Sequence, residues 1–408
     1  MKERSAILWV ETRWSPQGDG MVVFRPPDGD ELSIEIPDAD RQKLGSEIVS
    51  LREKLLEVKE RFASLEDQDW KKTSRGFQIL YDQGRIIALR LFKHRLREVS
   101  ELFRRLHPLW DKYRGEPLLM VVDGPLRDFI PFEFLPLFST AALEEIRDLE
   151  SLIAMARRLV GFSFFVRRHL TGEAILQHKV LENDPKLPVR FFYHAGLGGA
   201  RTEAEFFRAR SRFVELRGPW PGEELEEAAV RSGLAGYLFL PFEGDDRRSP
   251  DQVQHFACHC DTEVEDSEDG SLELSHDGKA RRRVRIRDLE LALSEHLGVE
   301  AGDRPVMPLV FVNACASAVE DSRQMASFQH FFLQQNRNRG YIGTETRVPD
   351  PIASTFSKYF YSQLLTGSSL GTAIHTTRWK LLERHRNPLG LLYTVHADPE
   401  IRVQRPIS

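Results

Sequence analysis

Two short segments carry residue types able to do covalent chemistry together. The first reads Gln254-His-Phe-Ala-Cys-His259-Cys260 and the second Val310-Phe-Val-Asn-Ala-Cys315-Ala-Ser317. A thiol with its ordinary pKa of about 8.5 is only a few per cent thiolate at neutral pH. A neighbouring imidazole raises that fraction and later returns the proton to a leaving amine. His259 and Cys315 are therefore the expected catalytic pair. Backbone N–H groups at a strand end can hold the oxyanion of an attacked carbonyl, and those of Cys260 and Cys315 are the expected donors. Such a reaction needs no metal and no organic cofactor.

The same segment offers His255, Cys258, His259 and Cys260 as nitrogen and sulfur ligands. A single residue separates Cys258 from Cys260, whereas paired cysteines in zinc sites are commonly spaced by two to four. Neighbours on a strand face opposite ways, so these side chains cannot all meet one ion without a bulge. The expectation is no metal, with Cys258 packed in the core. Three cysteines do not make a disulfide framework, which points to a reducing, cytoplasmic setting.

Six acidic residues fall in Asp261-Thr-Glu263-Val-Glu-Asp-Ser-Glu-Asp269, directly after the imidazole. With Glu320, Asp321 and Asp350 they are candidates for a rim that attracts a basic substrate residue; Asp261, Glu263, Glu320, Asp321 and Asp350 are the expected substrate-binding positions. The bland alternative is a solvated loop. Five arginines crowd 281–287, but Arg283-Val-Arg-Ile-Arg287 alternates as an edge strand does, and Asp277-Gly278 before it suits a hairpin turn. Charge pairing is the simpler account there, and direct nucleic-acid binding is not expected. Gly196-Leu-Gly-Gly-Ala200 follows a strand, but Arg201 stands where a dinucleotide fingerprint needs glycine, so it reads as a strand-to-helix turn.

The elements that must position these residues alternate. Strands are predicted at 190–194, 213–216, 254–257, 308–312 and 341–344, with helices at 201–213, 222–232 and 351–365. Strands and helices of this length imply an α/β layer with a largely parallel sheet. A chemical site in such a layer lies beyond the carboxyl ends of the strands, where Cys315 and His259 both fall. Upstream, short strands are predicted within 5–36 and an apolar strand at 117–122. A helical hairpin is predicted over 39–110, broken near 67–74. Its first arm places Leu44, Ile48, Leu51, Leu55, Val58, Phe62 and Leu65 on one stripe. Residues 143–170 read as mostly helix. The proline-flanked polar stretch 182–188 marks the expected boundary between residues 1–184 and 185–408.

The chain carries 57 basic and 62 acidic side chains, a formal charge of −5, and is 41% hydrophobic. That balance argues against a general nucleic-acid or membrane-surface binder. No apolar run approaches the ~18–20 residues of a membrane helix, and the N-terminal stretch reads as a strand rather than a signal peptide.

Taken in order, several motifs carry a family likeness: Leu118-Leu-Met-Val-Val-Asp-Gly-Pro-Leu-Arg-Asp-Phe-Ile-Pro-Phe-Glu-Phe-Leu135, His255-Phe-Ala-Cys-His259, Val312-Asn-Ala-Cys315, Tyr341-Ile-Gly-Thr-Glu-Thr-Arg-Val-Pro-Asp350, Phe360-Tyr-Ser-Gln-Leu-Leu-Thr-Gly367 and Asn387-Pro-Leu-Gly-Leu-Leu-Tyr-Thr-Val-His-Ala-Asp-Pro399. Together they resemble the CHAT domain, a caspase-like, separase-related family of cysteine proteases. Their histidine-first order, with the cysteine 56 positions later, also matches caspases. The resemblance implies caspase-like α/β/α layers in 185–408, preceded in 1–184 by a pseudo-protease half with N-terminal strands (5–36), a long helical hairpin (39–110) and a strand–helix region (117–170). It implies His259 as catalytic histidine and Cys315 as nucleophile. The family usually has glycine after its histidine; Cys260 keeps the N–H but lacks glycine's freedom.

The implied function is a cytoplasmic cysteine endopeptidase that cleaves a specific protein target. Its implied setting is bacterial antiviral defence, including CRISPR-associated cascades, under the control of a sensor or activating partner. The hairpin 39–110 is the candidate contact for that partner. The alternatives are a non-catalytic pseudo-protease interaction module and a redox or metal sensor built on Cys258 and Cys260.

Overall fold

A computed structural model describes residues 8–15, 19–66, 69–112, 117–124, 130–139, 141, 143–170, 179–239, 250–261, 270–279, 282–297, 307–314 and 328–405. Cα packing divides the chain into two compact units, Met1–Thr171 with Gly371–Leu392, and Gly172–Leu370 with Tyr393–Ser408.

The first unit holds a five-stranded mixed sheet. Its strands are β1 (Leu8–Trp14), β2 (Gly20–Arg25), β3 (Leu32–Ile36), β4 (Leu118–Gly124) and β5 (Phe164–Leu170), in the order β3-β2-β1-β4-β5. β1, β2 and β3 form an antiparallel meander, while β4 runs parallel to both β1 and β5. Helices α1 (Asp38–Arg61), α2 (Trp70–Phe92) and α3 (Leu96–Lys112) follow the meander. The predicted stripe is the buried one: Leu44, Leu51, Leu55, Val58 and Phe62 are each at most 3% exposed. Asp69 caps α2 by accepting the Lys71 N–H.

The predicted helix over 143–170 is corrected by the structure. Only α4 (Leu149–Ala156) and the single turn α5 (Val160–Ser163) are helical, and Phe164–Leu170 is β5. Phe164, Phe165 and Val166 are buried and suit a strand. The charged Arg168 is tolerated because it pairs with the buried Glu133 carboxylate and donates to the Ile130 carbonyl.

The second unit is built on a six-stranded sheet. A short strand, β6 (Val180–Leu181), precedes β7 (Leu187–Tyr193), α6 (Gly198–Arg208), β8 (Val214–Trp220), α7 (Glu227–Phe239) and β9 (Val253–Ala257). Three short strands then form a separate antiparallel sheet: β10 (His259–Asp261), β11 (Ser271–Leu274) and β12 (Arg282–Arg285). α8 (Ile286–Leu297), β13 (Met307–Val312), the turn α9 (Phe328–His330), β14 (Asn338–Thr344) and α10 (Asp350–Leu365) follow, after which α11 (Leu370–His385) passes into the first unit. The chain closes with β15 (Tyr393–Ala397) and β16 (Arg402–Val403).

The sheet order is β15-β14-β13-β9-β7-β8, and β15 alone is antiparallel to its neighbour. Every residue of β9, β13 and β14 is buried, as expected of parallel strands covered on both faces. Successive residues of β9 show the two covers. His255 bonds to Glu203 of α6 and Tyr361 of α10, while Gln254 donates to the Tyr237 carbonyl of α7. The second unit is thus an α/β/α sandwich with a largely parallel sheet, as expected.

Residues 371–392 belong to the first unit. There Arg378 of α11 is fully buried and donates to the Gly161 and Gly390 carbonyls. Burial lowers its pKa to about 10.

Candidate active site

The parallel register aligns the two reactive segments. Val312 of β13 pairs with Phe256 of β9, and the Asn313 N–H donates to the Phe256 carbonyl at 2.8 Å. His259 and Cys315 each lie three positions beyond their member of that pair. His259 is half-buried just past the end of β9, where the chain leaves the main sheet and begins β10. Cys315, Glu263, Glu320 and Asp321 lie outside the described residues.

Cys260 is 3% exposed and stands opposite Leu272 in the β10–β11 ladder. It does not have a positive φ, so the backbone there makes no demand for glycine. Cys258 is buried between β9 and β10, and both thiols are free of disulfide bonds. Asp261 is the last residue of β10.

The structure adds a residue that the sequence reading did not single out. His194 follows β7, 4% exposed, and its ring meets that of His259 edge-on with centroids 4.7 Å apart. Its Nδ1 accepts the Gly196 N–H at 3.2 Å, which puts the proton of the neutral ring on Nε2. Tertiary packing creates this arrangement. The His194 N–H donates to the Ala257 carbonyl, and the Ala195 N–H donates to the Ser275 carbonyl across from the β11–β12 turn. The signal available in the sequence was a histidine directly after an apolar strand.

The glycine-rich turn after β7 has structural reasons for its glycines. A Cβ on Gly196 would lie 3.3 Å from the Gly278 Cα and 2.9 Å from the His194 ring. Gly199 is the second residue of α6, and its N–H donates to Asp350 Oδ2 at 2.7 Å. A carboxylate of α10 thus occupies the helix N-terminus where a phosphate would otherwise be drawn. Asp350, expected at a substrate rim, is engaged here as a cap supplied from another helix.

The arginine run divides at Ile286, where α8 begins, so among its described residues Arg282–Arg285 are strand and Arg287 is helical. Arg283 pairs with Glu273 of β11 at 2.8 Å, and Arg282 donates to the Leu225 carbonyl. Among the described residues no three His, Cys, Asp or Glu side chains are grouped to hold a metal ion, and no helix is long and apolar enough to cross a membrane.

Comparison with known proteins follows the same lines. One relative is a "probable protease" of Vitiosangium sp. (strain GDMCC 1.1324), 33% identical over 87 residues, or 21% of this chain and 11% of that protein's length. The chain thus spans about a tenth of that relative. Two crystal structures of the Saccharomyces cerevisiae separase–securin complex align with 97% and 98% of the chain and 30% of the matched chain in each case. Both are 10% identical, with TM-scores of 0.48 and 0.46. The CHAT domain family model matches residues 88–399, well over half of the chain. The chain belongs to the CHAT domain family.

Proposed function

We propose that this protein is a cysteine endopeptidase of the caspase-like type. The observation that carries the reading is the family match spanning both reactive segments, with His259 and Cys315 equally spaced beyond a paired register position. Sγ of Cys315 attacks the scissile carbonyl as thiolate, and a C–S bond forms as the carbonyl π pair moves onto oxygen. His259 carries the thiol proton to the leaving amine, the C–N bond breaks, and water then hydrolyses the thioester. The N–H groups of Cys260 and Cys315 are assigned to the oxyanion.

The acidic residues Asp261, Glu263, Glu320, Asp321 and Asp350 are assigned to attraction of a basic substrate residue, and Asp350 also accepts the Gly199 N–H of α6. We infer that residues 1–184 form a pseudo-protease half, and that cleavage of one protein target is controlled by a sensor or partner. The biological setting assigned is bacterial antiviral defence in the cytoplasm. The hairpin 39–110 is assigned to partner contact, which its exposed Val49, Leu56, Ile86 and Leu89 support.

The test is digestion of a proteome-derived peptide library by wild type and Cys315→Ala, read by mass spectrometry. New termini sharing a basic residue before the cut, absent in the variant, are expected. Identical products from both proteins would remove the assignment of Cys315.

A further inference from the structure

A buried polar cluster of the second unit converges on the two residues that lead into Cys315. Asn313 Nδ2 donates to Glu203 Oε1 at 2.9 Å and to the Ala353 carbonyl at 3.0 Å, and Asn313 Oδ1 accepts from the Tyr393 hydroxyl at 2.7 Å. Glu203 Oε2 lies 2.6 Å from His255 Nε2, and His255 Nδ1 lies 3.0 Å from the Tyr361 hydroxyl. One residue further on, the Ala314 carbonyl accepts from Thr344 Oγ1 at 2.6 Å, at the end of β14. Glu203 and His255 are 2% and 0% exposed, and Thr344 is 0% exposed.

A buried carboxylate is costly, and well-packed apolar residues often stabilise a core as well or better. Here α6, α10, β14 and β15 all direct polar groups at one strand exit, so the cluster specifies a backbone position rather than bulk stability. The Ala314 carbonyl belongs to the peptide unit that continues into Cys315, and a peptide unit is planar. A hydrogen bond on that carbonyl restricts rotation of the unit that also carries the next N–H.

We propose that Thr344, and Glu203 acting through Asn313, are positioning residues that hold this peptide unit so that the Cys315 N–H meets the oxyanion. The inference rests on the reading of Cys315 as nucleophile. It separates two reactions of one thiol. Acylation by p-nitrophenyl acetate passes through an oxyanion: the C–S bond forms, the carbonyl pair moves to oxygen, and its return expels p-nitrophenolate. Alkylation by iodoacetamide displaces iodide and forms no oxyanion.

Both rates are measured on the full chain for wild type, Thr344→Val, Thr344→Ser and Glu203→Gln, with Cys315→Ala subtracting the other thiols. Thr344→Val is expected to slow acylation about 10–100-fold while alkylation stays within about twofold, and Thr344→Ser to restore most of the loss. Glu203→Gln is expected to lower the same ratio about 3–10-fold with Thr344 intact, which keeps the test open if Thr344→Val fails to fold. An unchanged ratio in every folded variant overturns the proposal and leaves the nucleophile reading standing. A wild type indistinguishable from Cys315→Ala in both reactions removes the nucleophile reading, and this proposal with it, before any positioning variant is made.

Discussion

The ring of His194 meets the ring of His259 edge-on, with centroids 4.7 Å apart, at the mouth formed by the ends of β7 and β9. A base that must accept a proton from one direction and deliver it in another benefits from a wall that limits its rotamers. His194 is placed to be such a wall for His259, the proposed base, and its own orientation is set by the Gly196 N–H on Nδ1. His194→Ala is expected to slow iodoacetamide alkylation of Cys315 at neutral pH about 5–20-fold, and His194→Phe, which keeps a ring edge, to slow it less. Rates equal to wild type in both variants would show that His259 is oriented without His194.

The contact between Asp350 and Gly199 makes a stability prediction. The carboxylate satisfies an N–H in the first turn of α6 from outside the helix. Asp350→Ala is expected to cost about 0.5–2 kcal/mol in urea unfolding, with Asp350→Asn recovering part of it. Gly199→Val is expected to cost more, since a Cβ there would lie 2.3 Å from Asp350 Oδ1 and 2.7 Å from the Asp350 carbonyl. A neutral Gly199→Val would mean that α10 is free to retreat from α6.

In the first unit, Arg168 and Glu133 form an ion pair 5% and 1% exposed. Removing one partner strands the other charge. Glu133→Gln is expected to cost about 3–5 kcal/mol, and the double replacement Glu133→Leu with Arg168→Met markedly less. Equal losses in the single and double variants, measured by denaturant titration, would argue that volume rather than charge dominates there.

Acid sensitivity is expected from His375 of α11. Burial is the main cause that lowers its pKa from 6.5 to about 4, against a smaller opposing effect from the Phe162 carbonyl that accepts from Nε2 at 2.9 Å. The native ring stays neutral while the unfolded chain binds a proton below about pH 6.5, so stability falls as pH drops from about 6.5 towards about 4. The contribution is about 2 kcal/mol between pH 7.5 and pH 5, where only the unfolded state takes up the proton. His375→Gln should flatten that part of the pH–stability curve, and an unchanged slope would assign it to other groups.

Much of the second unit was legible from local pattern. β13 (Met-Pro-Leu-Val-Phe-Val) is a run of apolar residues, and such a run has few uses other than a buried parallel strand, whereas β9 and β14 carry polar residues among their apolar ones and were legible only from their apolar cores Phe256-Ala257 and Tyr341-Ile342. The α1 stripe from Leu44 to Phe62 was equally legible, because helical periodicity is a property of neighbours in the chain. The first unit was less so. Arg167, Arg168 and His169 gave the end of β5 a helical, solvated look, and the partner that makes Arg168 tolerable in a strand stands 35 positions earlier. The arginine run misled in the opposite direction, since α8 takes over at Ile286 while the alternation continues to Arg287.

Residue types and order therefore single out His259 and Cys315 as the proposed chemical pair and point to an α/β layer with a largely parallel sheet. Those conclusions depend on side-chain pKa and on periodicity, both local. Only the tertiary structure decided what surrounds the site: His194 against His259, Asp350 on α6, and Glu203 bonded to Asn313 across 110 positions of sequence. Each of these pairs joins polar groups that would be indifferent partners in water. Glu203 and Asn313 become specific because the fold withdraws both from solvent at once, where an unmatched polar atom is costly, while half-buried His259 and Asp350 are each matched from one side by a buried partner, His194 and Gly199.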